Sequence, residues 1–174
     1  MFLDTHIHIA TAGDAAAVAA LLNSAYRGES SKKGWTTEAH LIDGDVRATA
    51  ETVKEVMEKK GSVILKYEND NGDIVGCVNL QKHLLKIYLG MFSVSPELQG
   101  GGIGKKLLQA ADAYARQQNC KAIYMTVISV RSELIEWYKR HGYVDTGKLK
   151  SFEEDGISGH HLQQLQFIVL EKKI

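Results

Sequence analysis

The segment Val94-Ser-Pro-Glu-Leu-Gln-Gly-Gly-Gly-Ile-Gly104 constrains this chain more than any other. Before it, the apolar run Ile87 to Val94 reads as a strand. After it the period changes: Leu107, Leu108, Ala111 and Tyr114 share one side of a helix predicted from about Ile103 to Gln118. Between the two stand four glycines in the five residues from Gly100 to Gly104. A tight strand-to-helix turn accounts for some of them. It does not require four, because glycines in a first helical turn cost up to about 1 kcal/mol each in propensity. Glycines do let a ligand approach the backbone closely. The helix behind them offers unpaired N–H groups and the positive end of its dipole, so a ligand phosphate is a sufficient reason for the excess.

Two familiar phosphate loops fit poorly. A nucleoside-triphosphate loop places Lys-Ser or Lys-Thr after its last glycine, whereas Gly104 is followed by Lys105 and Lys106, with no hydroxyl to reach magnesium. A dinucleotide fingerprint follows the first strand of a βαβ unit and has an acidic residue about 20 residues on. Here the loop follows what reads as an antiparallel meander.

That meander begins after a helical N-terminal third. Thr5 to Ala10 alternates His6 and His8 with Ile7 and Ile9, as a first strand with one apolar face would. Val18, Leu21, Leu22 and Ala25 predict a helix over Ala15 to Ala25. Arg27 to Gly34 reads as a loop, Ala39 to Ile42 as a short helical piece ended by Gly44, and Ala48 to Lys60 as a further helix. Ser62 to Tyr67 and Ile74 to Leu80 are strands around the hairpin signal Asn69-Asp-Asn-Gly-Asp73. Past the glycines, Ala122 to Ile128 has the continuous apolar character of a buried central strand. Glu133 to His141 is a helix stopped by Gly142. Tyr143 to Leu149 and Gln164 to Glu171 close the sheet around the polar loop Glu153 to His160. This order predicts an α/β (α+β) fold: a single mixed, mainly antiparallel sheet of about seven strands flanked by helices, in one domain spanning residues 1–174.

Charge and cysteine usage narrow the partners. Lys plus Arg equals Asp plus Glu at 21 each, so the overall field favours neither nucleic acid nor a membrane surface. Asp4, His6 and His8 stand where a secretion leader would be basic and then apolar, and no window reaches about 18 apolar residues, which makes the cytoplasm the expected location. Cys77 and Cys120 lack metal-motif spacing and read as reduced packing residues, and no His or carboxylate cluster has ligand spacing, so no metal is expected.

Val94-Ser-Pro-Glu-Leu-Gln99-Gly-Gly-Gly102-Ile-Gly104-Lys-Lys-Leu-Leu108 resembles the acetyl-CoA loop of the GNAT superfamily of N-acetyltransferases. The family pattern is Gln or Arg, two residues, Gly, any residue, then Gly or Ala, and Gln99, Gly102 and Gly104 occupy it. A second block, Ala122-Ile-Tyr-Met-Thr-Val127 followed by Glu133-Leu-Ile-Glu-Trp-Tyr138-Lys-Arg-His-Gly142-Tyr143, is similar to the family's next strand and the helix carrying an aromatic-Tyr pair.

The resemblance implies acetyl-CoA as co-substrate and transfer of its acetyl group to a primary amine of a small molecule or peptide. The pyrophosphate would rest on backbone N–H groups over Gln99, Gly100, Gly101, Gly102, Ile103, Gly104 and Lys105. Pantetheine would lie along Phe92, Ser93 and Val94, where that strand parts from the strand 122–128. A backbone N–H near Phe92 is implied as oxyanion donor, and Tyr138 matches the general-acid position that protonates the departing thiolate; a half-buried aromatic packed beside Trp137 explains the same residue. The base stays open between Glu38 and His83, with His6 and His8 read as the polar face of the first strand.

Acceptor recognition is implied for the Arg27 to Glu38 loop and the His160 to Gln164 region. Arg27, Trp35, Thr36 and Glu38 are the candidates, a mixture that suits a small zwitterionic or polyamine-like amine, although an ordinary capped loop carries the same residues. Arg131 is open between phosphate binding and pairing with Glu133 or Glu136. A non-catalytic acyl-CoA-binding module of the same fold is the rival reading, opposed by the presence of both Tyr138 and the full glycine loop. An exposed sheet edge is compatible with a homodimer.

Overall fold

The computed structural model describes residues 2–174. Its elements run β1 (Ile7–Ile9), α1 (Ala15–Tyr26), α2 (Gly28–Ser31), β2 (Ile42–Asp43), α3 (Ala50–Glu58), β3 (Ser62–Glu68), β4 (Ile74–His83), β5 (Lys86–Val94), α4 (Ile103–Gln117), β6 (Ala122–Ile128), α5 (Ser132–Arg140), β7 (Val144–Phe152), β8 (His160–His161) and β9 (Leu165–Lys173). Seven of the strands form one sheet in the order β1-β3-β4-β5-β6-β9-β7. Every pairing in it is antiparallel except β5 with β6.

Strand alternation sorts the core onto two faces. Ile64 and Cys77 pack with Val18, Leu22 and Val53 of α1 and α3. Their neighbours Leu65 and Val78 point the other way, onto Leu107, Leu108 and Ala111 of α4 and Leu134 of α5. Thr49 starts α3 by accepting a hydrogen bond from the Thr52 N–H at 3.2 Å, a cap worth about 1 kcal/mol.

Three local expectations change. Over Ala39 to Ile42 there is one turn, closed by the Ile42 N–H to the Glu38 carbonyl at 2.9 Å, and no helix. The apolar Leu41 and Ile42 are buried instead in a small cluster with Ile128 and Leu165. Ile42 enters β2, which pairs with β8 in a separate two-stranded ribbon. The Arg27 to Gly34 segment contains the short turn of α2. β1 is only three residues long, and on this edge Ile7 is buried while Ile9 is 52% exposed.

The site is set up by what β5 does at its C-terminal end. Its parallel register with β6 covers only Lys86, Ile87 and Tyr88 opposite Ala122, Ile123 and Tyr124. Beyond that point the two strands carry no mutual ladder. On its other side, β5 places Gly90 and Ser93 opposite Asn79 and Cys77 of β4, an extra residue that makes a bulge. Met91 takes a positive φ of 50° within it. A bulge of this kind bends its strand and re-aims the residues that follow, here Phe92 to Val94.

Candidate active site

The glycine turn opens on the gap beside β5. Gly100 and Gly102 have φ of +89° and +91°, and a Cβ at either would meet nothing within 4 Å. Backbone conformation and open approach, not packing, therefore demand glycine at these positions. Gly102 is the N-cap of α4, so the first turn of a 15-residue helix faces a cleft of about 530 Å³. Phe92, Ser93, Val94, Gln99, Gly100, Gly102, Ile103, Gly104 and Lys105 line it from one side, and Trp137, Tyr138, Arg140 and His141 from α5 and its end. Gly101 is turned away from this lining, its N–H donating to the Leu98 carbonyl at 3.3 Å.

Gln99 faces the turn and the α1–β2 connection at once. Its Oε1 accepts from the Trp35 N–H at 2.8 Å, while Nε2 donates to Thr36 Oγ1 at 2.6 Å and to the Val94 carbonyl at 3.0 Å. Gly34 makes room for it, because a Cβ there would stand 2.4 Å from Gln99 Oε1. Trp35 and Thr36 consequently line the glycine-turn cleft, with the Trp35 ring 6.2 Å from that of Trp137.

A second cavity of about 350 Å³ lies on the far side of the β5 bulge, between α1, α3, β5, β6 and residues 155–158. Arg27 and Glu38 belong to this one. Four residues line both cavities: Tyr26, Phe92, Leu134 and Tyr138. The two spaces therefore meet at Tyr138. Its ring is 4% exposed and packed edge-on to Trp137 and Tyr143, and its hydroxyl has no protein hydrogen-bond partner among the described residues. Burial, followed by the neighbouring Tyr26 and Tyr143, pushes its phenol well above the usual value and keeps it protonated. Tyr26 donates its own hydroxyl proton to the Phe92 carbonyl, and burial raises it to about 12.

Glu38 collects guanidinium groups. Arg27, almost wholly buried, donates from Nη1 to Glu38 Oε1 at 2.8 Å and from Nε to the Ser158 carbonyl at 3.0 Å. Arg47 Nε stands 4.0 Å from Glu38 Oε1 and Arg131 Nη1 3.9 Å from Oε2. Arg131 thus turns inward: its Nη2 donates to the Thr36 carbonyl at 2.6 Å, and neither Glu133 nor Glu136 pairs with it. His83 is exposed at the end of β4 and lines neither cavity. His6 lies before β1, stacked on Tyr67 and bonded to Asp4 and Asp70, and His8 is exposed. His161, Gln163 and Gln164 line a separate surface hollow, and the second cavity is closed instead by Asp155, Ile157 and Ser158. Cys77 and Cys120 are free and buried. Among the described residues no group of three or more metal-ligating side chains occurs, and no helix is long and apolar enough to cross a membrane.

A family model described as the acetyltransferase (GNAT) family matches residues 18–143, which include the whole glycine turn and the helix of Tyr138. The chain belongs to the GNAT family. The spermine/spermidine N(1)-acetyltransferase of Bacillus subtilis strain 168 is 32% identical over 65 residues, 37% of this chain and 43% of that protein, so the chain spans less than half of the length of this curated relative. The fold recurs in the ribosomal-protein-alanine N-acetyltransferase of Brucella melitensis, with a TM-score of 0.72 at 18% identity over 97% of this chain and 99% of that one. It recurs also in a GNAT-family acetyltransferase of Streptococcus pneumoniae, with a TM-score of 0.66 at 21% identity over 97% and 98%.

Within this GNAT frame, sequence reasoning touched Tyr26 only as one aromatic of the Tyr26-Arg27-Gly28-Glu29 stretch, and passed over Arg47 and the Asp155 to Ser158 segment. Tyr26 carried a readable signal, as the last apolar residue on the α1 stripe. Arg47 sits in a short polar link before α3, and no local pattern distinguishes it from a solvated surface arginine.

Proposed function

We propose that this protein is an acyl-CoA-dependent N-acyltransferase that moves an acetyl group from acetyl-CoA to a primary amine of a small molecule or peptide. The observation that carries this reading is the meeting of two cavities at Tyr138, one fronted by a glycine turn and a helix N-terminus, the other polar and arginine-lined. The larger cleft suits a pyrophosphate and its arm: open space over Gly100 and Gly102, the N-terminal N–H groups of α4, the side chains of Lys105 and Arg140, and the run Phe92 to Val94 that lines it.

Acetyl-CoA supplies a thioester, an activated carbonyl with a thiolate leaving group. The Gln99 to Lys105 turn holds the phosphates, and Phe92 to Val94 lead the arm toward Tyr138. A neutral acceptor amine forms the new N–C bond at the carbonyl carbon as the C–S bond breaks. Tyr138 gives its proton to the sulfur, a step its raised pKa keeps it ready for at neutral pH. The proton released by the nitrogen leaves through the acceptor cavity and returns the phenolate to phenol. Glu38, clasped by Arg27, is a counter-ion in this scheme and holds the cavity's shape.

Thiol release from acetyl-CoA against a panel of amino acids, peptides and polyamines, the last suggested by the Bacillus subtilis relative, tests the proposal. Acceptor-dependent release that collapses in Tyr138→Phe is expected. Tight acetyl-CoA binding without release for any amine would instead favour a non-catalytic binding module.

A further inference from the structure

The acceptor cavity carries three guanidinium groups, Arg27, Arg47 and Arg131, against two carboxylates, Glu38 and Asp155. Neither carboxylate is free. Asp155 Oδ1 accepts from the N–H groups of Ile157 and Ser158 at 2.8 and 2.7 Å, and its Oδ2 from Ser158 Oγ at 2.8 Å. Glu38 is held by Arg27 at 2.8 Å. Arg131 spends one arm on the Thr36 carbonyl.

Arg47 is the exception. Its guanidinium makes no hydrogen bond among the described residues: Nε is 4.0 Å from Glu38 Oε1, and the central carbon lies 5.2 Å from the centroid of the Tyr26 ring. The side chain is 30% exposed and lines the cavity. The guanidinium lies over the Tyr26 ring with its hydrogen-bond donors unspent, and such a fork can take an anion bidentately. A polycation meeting the same wall would face a surplus of like charge.

Resting on the acyltransferase reading, we propose that the acceptor is a small amine bearing a carboxylate, an amino acid with an apolar side chain, whose carboxylate is bound by Arg47. A cavity of about 350 Å³ holds a ligand of that size, and Met125, Phe152 and Phe167 provide the apolar wall. With the carboxylate on Arg47, the amine is left to face the end of the cavity where Tyr138 stands. Arg47 is then a specificity-determining residue, and its contribution falls on acceptor binding.

Matched pairs that differ only in the carboxylate test this: phenylalanine against phenethylamine and methionine against 3-(methylthio)propylamine, with spermidine as the polycation. Each is assayed for thiol release and, by calorimetry, for binding to the CoA-loaded protein, with native chain, Arg47→Gln and Arg47→Lys. The amino acid should exceed its decarboxylated partner by about tenfold or more in kcat/KM. Arg47→Gln should raise KM for the amino acid by a similar factor, leave kcat within a few-fold and erase the preference, while Arg47→Lys restores part of it. An unchanged melting temperature and acetyl-CoA affinity in Arg47→Gln separate this from a folding defect. Equal or better use of the decarboxylated amines or spermidine would overturn the inference and leave the acyltransferase reading standing. So would the absence of both turnover and preferential binding for every carboxylate in the panel. Failure to bind acetyl-CoA at all would remove the acyltransferase reading itself.

Discussion

Gln99 Oε1 accepts the Trp35 N–H at 2.8 Å while its Nε2 donates to Thr36 Oγ1 at 2.6 Å, so one side chain fastens the α1–β2 connection to the glycine turn. Arg131 holds the same connection from the other side, at the Thr36 carbonyl. Gln99→Ala removes these ties and the bond to the Val94 carbonyl, and is expected to cost about 1–2 kcal/mol of stability and to raise KM for acetyl-CoA several-fold. Gln99→Glu keeps the size but turns a donor into an acceptor facing two oxygens and adds negative charge beside the proposed phosphate site. It should bind acetyl-CoA more weakly than Gln99→Ala does, which calorimetry of the two variants will show.

Tyr138→Phe is expected to lower kcat about a hundredfold, in line with loss of a positioned general acid, and to leave KM for acetyl-CoA nearly unchanged. Stability should barely move, because the ring contacts with Phe92, Trp137 and Tyr143 remain and the lost hydroxyl had no protein partner among the described residues. Steady-state kinetics with a matched melting curve checks both halves.

Tyr26, Tyr138 and Tyr143 all have phenols raised by burial. A group whose folded pKa lies above its unfolded value stabilises the fold fully below the unfolded value and loses that contribution as pH rises beyond it. The fold should therefore hold its stability up to about pH 10, the ordinary phenol value, and weaken above it. Tyrosinate absorbance followed together with circular dichroism should show a late, cooperative fraction that appears only with unfolding. Complete titration of all tyrosines with the fold intact would contradict this.

The fold was legible because its signals are local and repeated. The helical stripe of α4, the Asn-Gly hairpin between β3 and β4 and the apolar run of β6 each report their own element. The glycine turn was legible for a related reason: no packing role explains glycine at 100 or 102, where a Cβ meets open space. The cavity around Glu38 was legible only in part: Arg27 and Glu38 stood out as candidates, while Arg47 and residues 155–158 did not. Glu38 gathers Arg27, Arg47 and Arg131 from three separate segments, and charges brought together by tertiary structure leave no periodicity in the sequence. The helix expected over Ala39 to Ile42 failed on the same ground, since Ile42 is claimed by β8, more than a hundred residues away in the chain.

Stability and binding should part company within the glycine turn. Gly102 is held at φ +91° with open space where a Cβ would go, so Gly102→Ala is expected to cost about 1–2 kcal/mol through backbone strain alone. Gly104 lies inside α4, and its Cβ would make ordinary contacts of 3.4 Å with Phe92 and Trp137. Gly104→Ala should hold or gain stability, by up to about 1 kcal/mol of helix propensity, yet bind acetyl-CoA more weakly because the new methyl narrows the cleft. Chemical denaturation and calorimetry on the pair distinguish the two effects.

Glu38 and Arg27 are both buried, yet removing one should not equal removing the other. With Arg27→Gln, the Glu38 carboxylate keeps Arg47 and Arg131 within about the same 4.0 and 3.9 Å reach and can turn toward them. With Glu38→Gln, Arg27 loses its anion in a setting where its side chain is 2% exposed, and among the described residues no carboxylate other than Glu38 forms an ion pair with it. Stranding a buried charge costs about 3–5 kcal/mol, so Glu38→Gln is expected to fall in that range and Arg27→Gln clearly below it. Urea denaturation of the two variants measures the difference. Equal losses would mean that Arg47 and Arg131 do not compensate for Arg27, and that the three guanidinium groups do not act on Glu38 as one cluster.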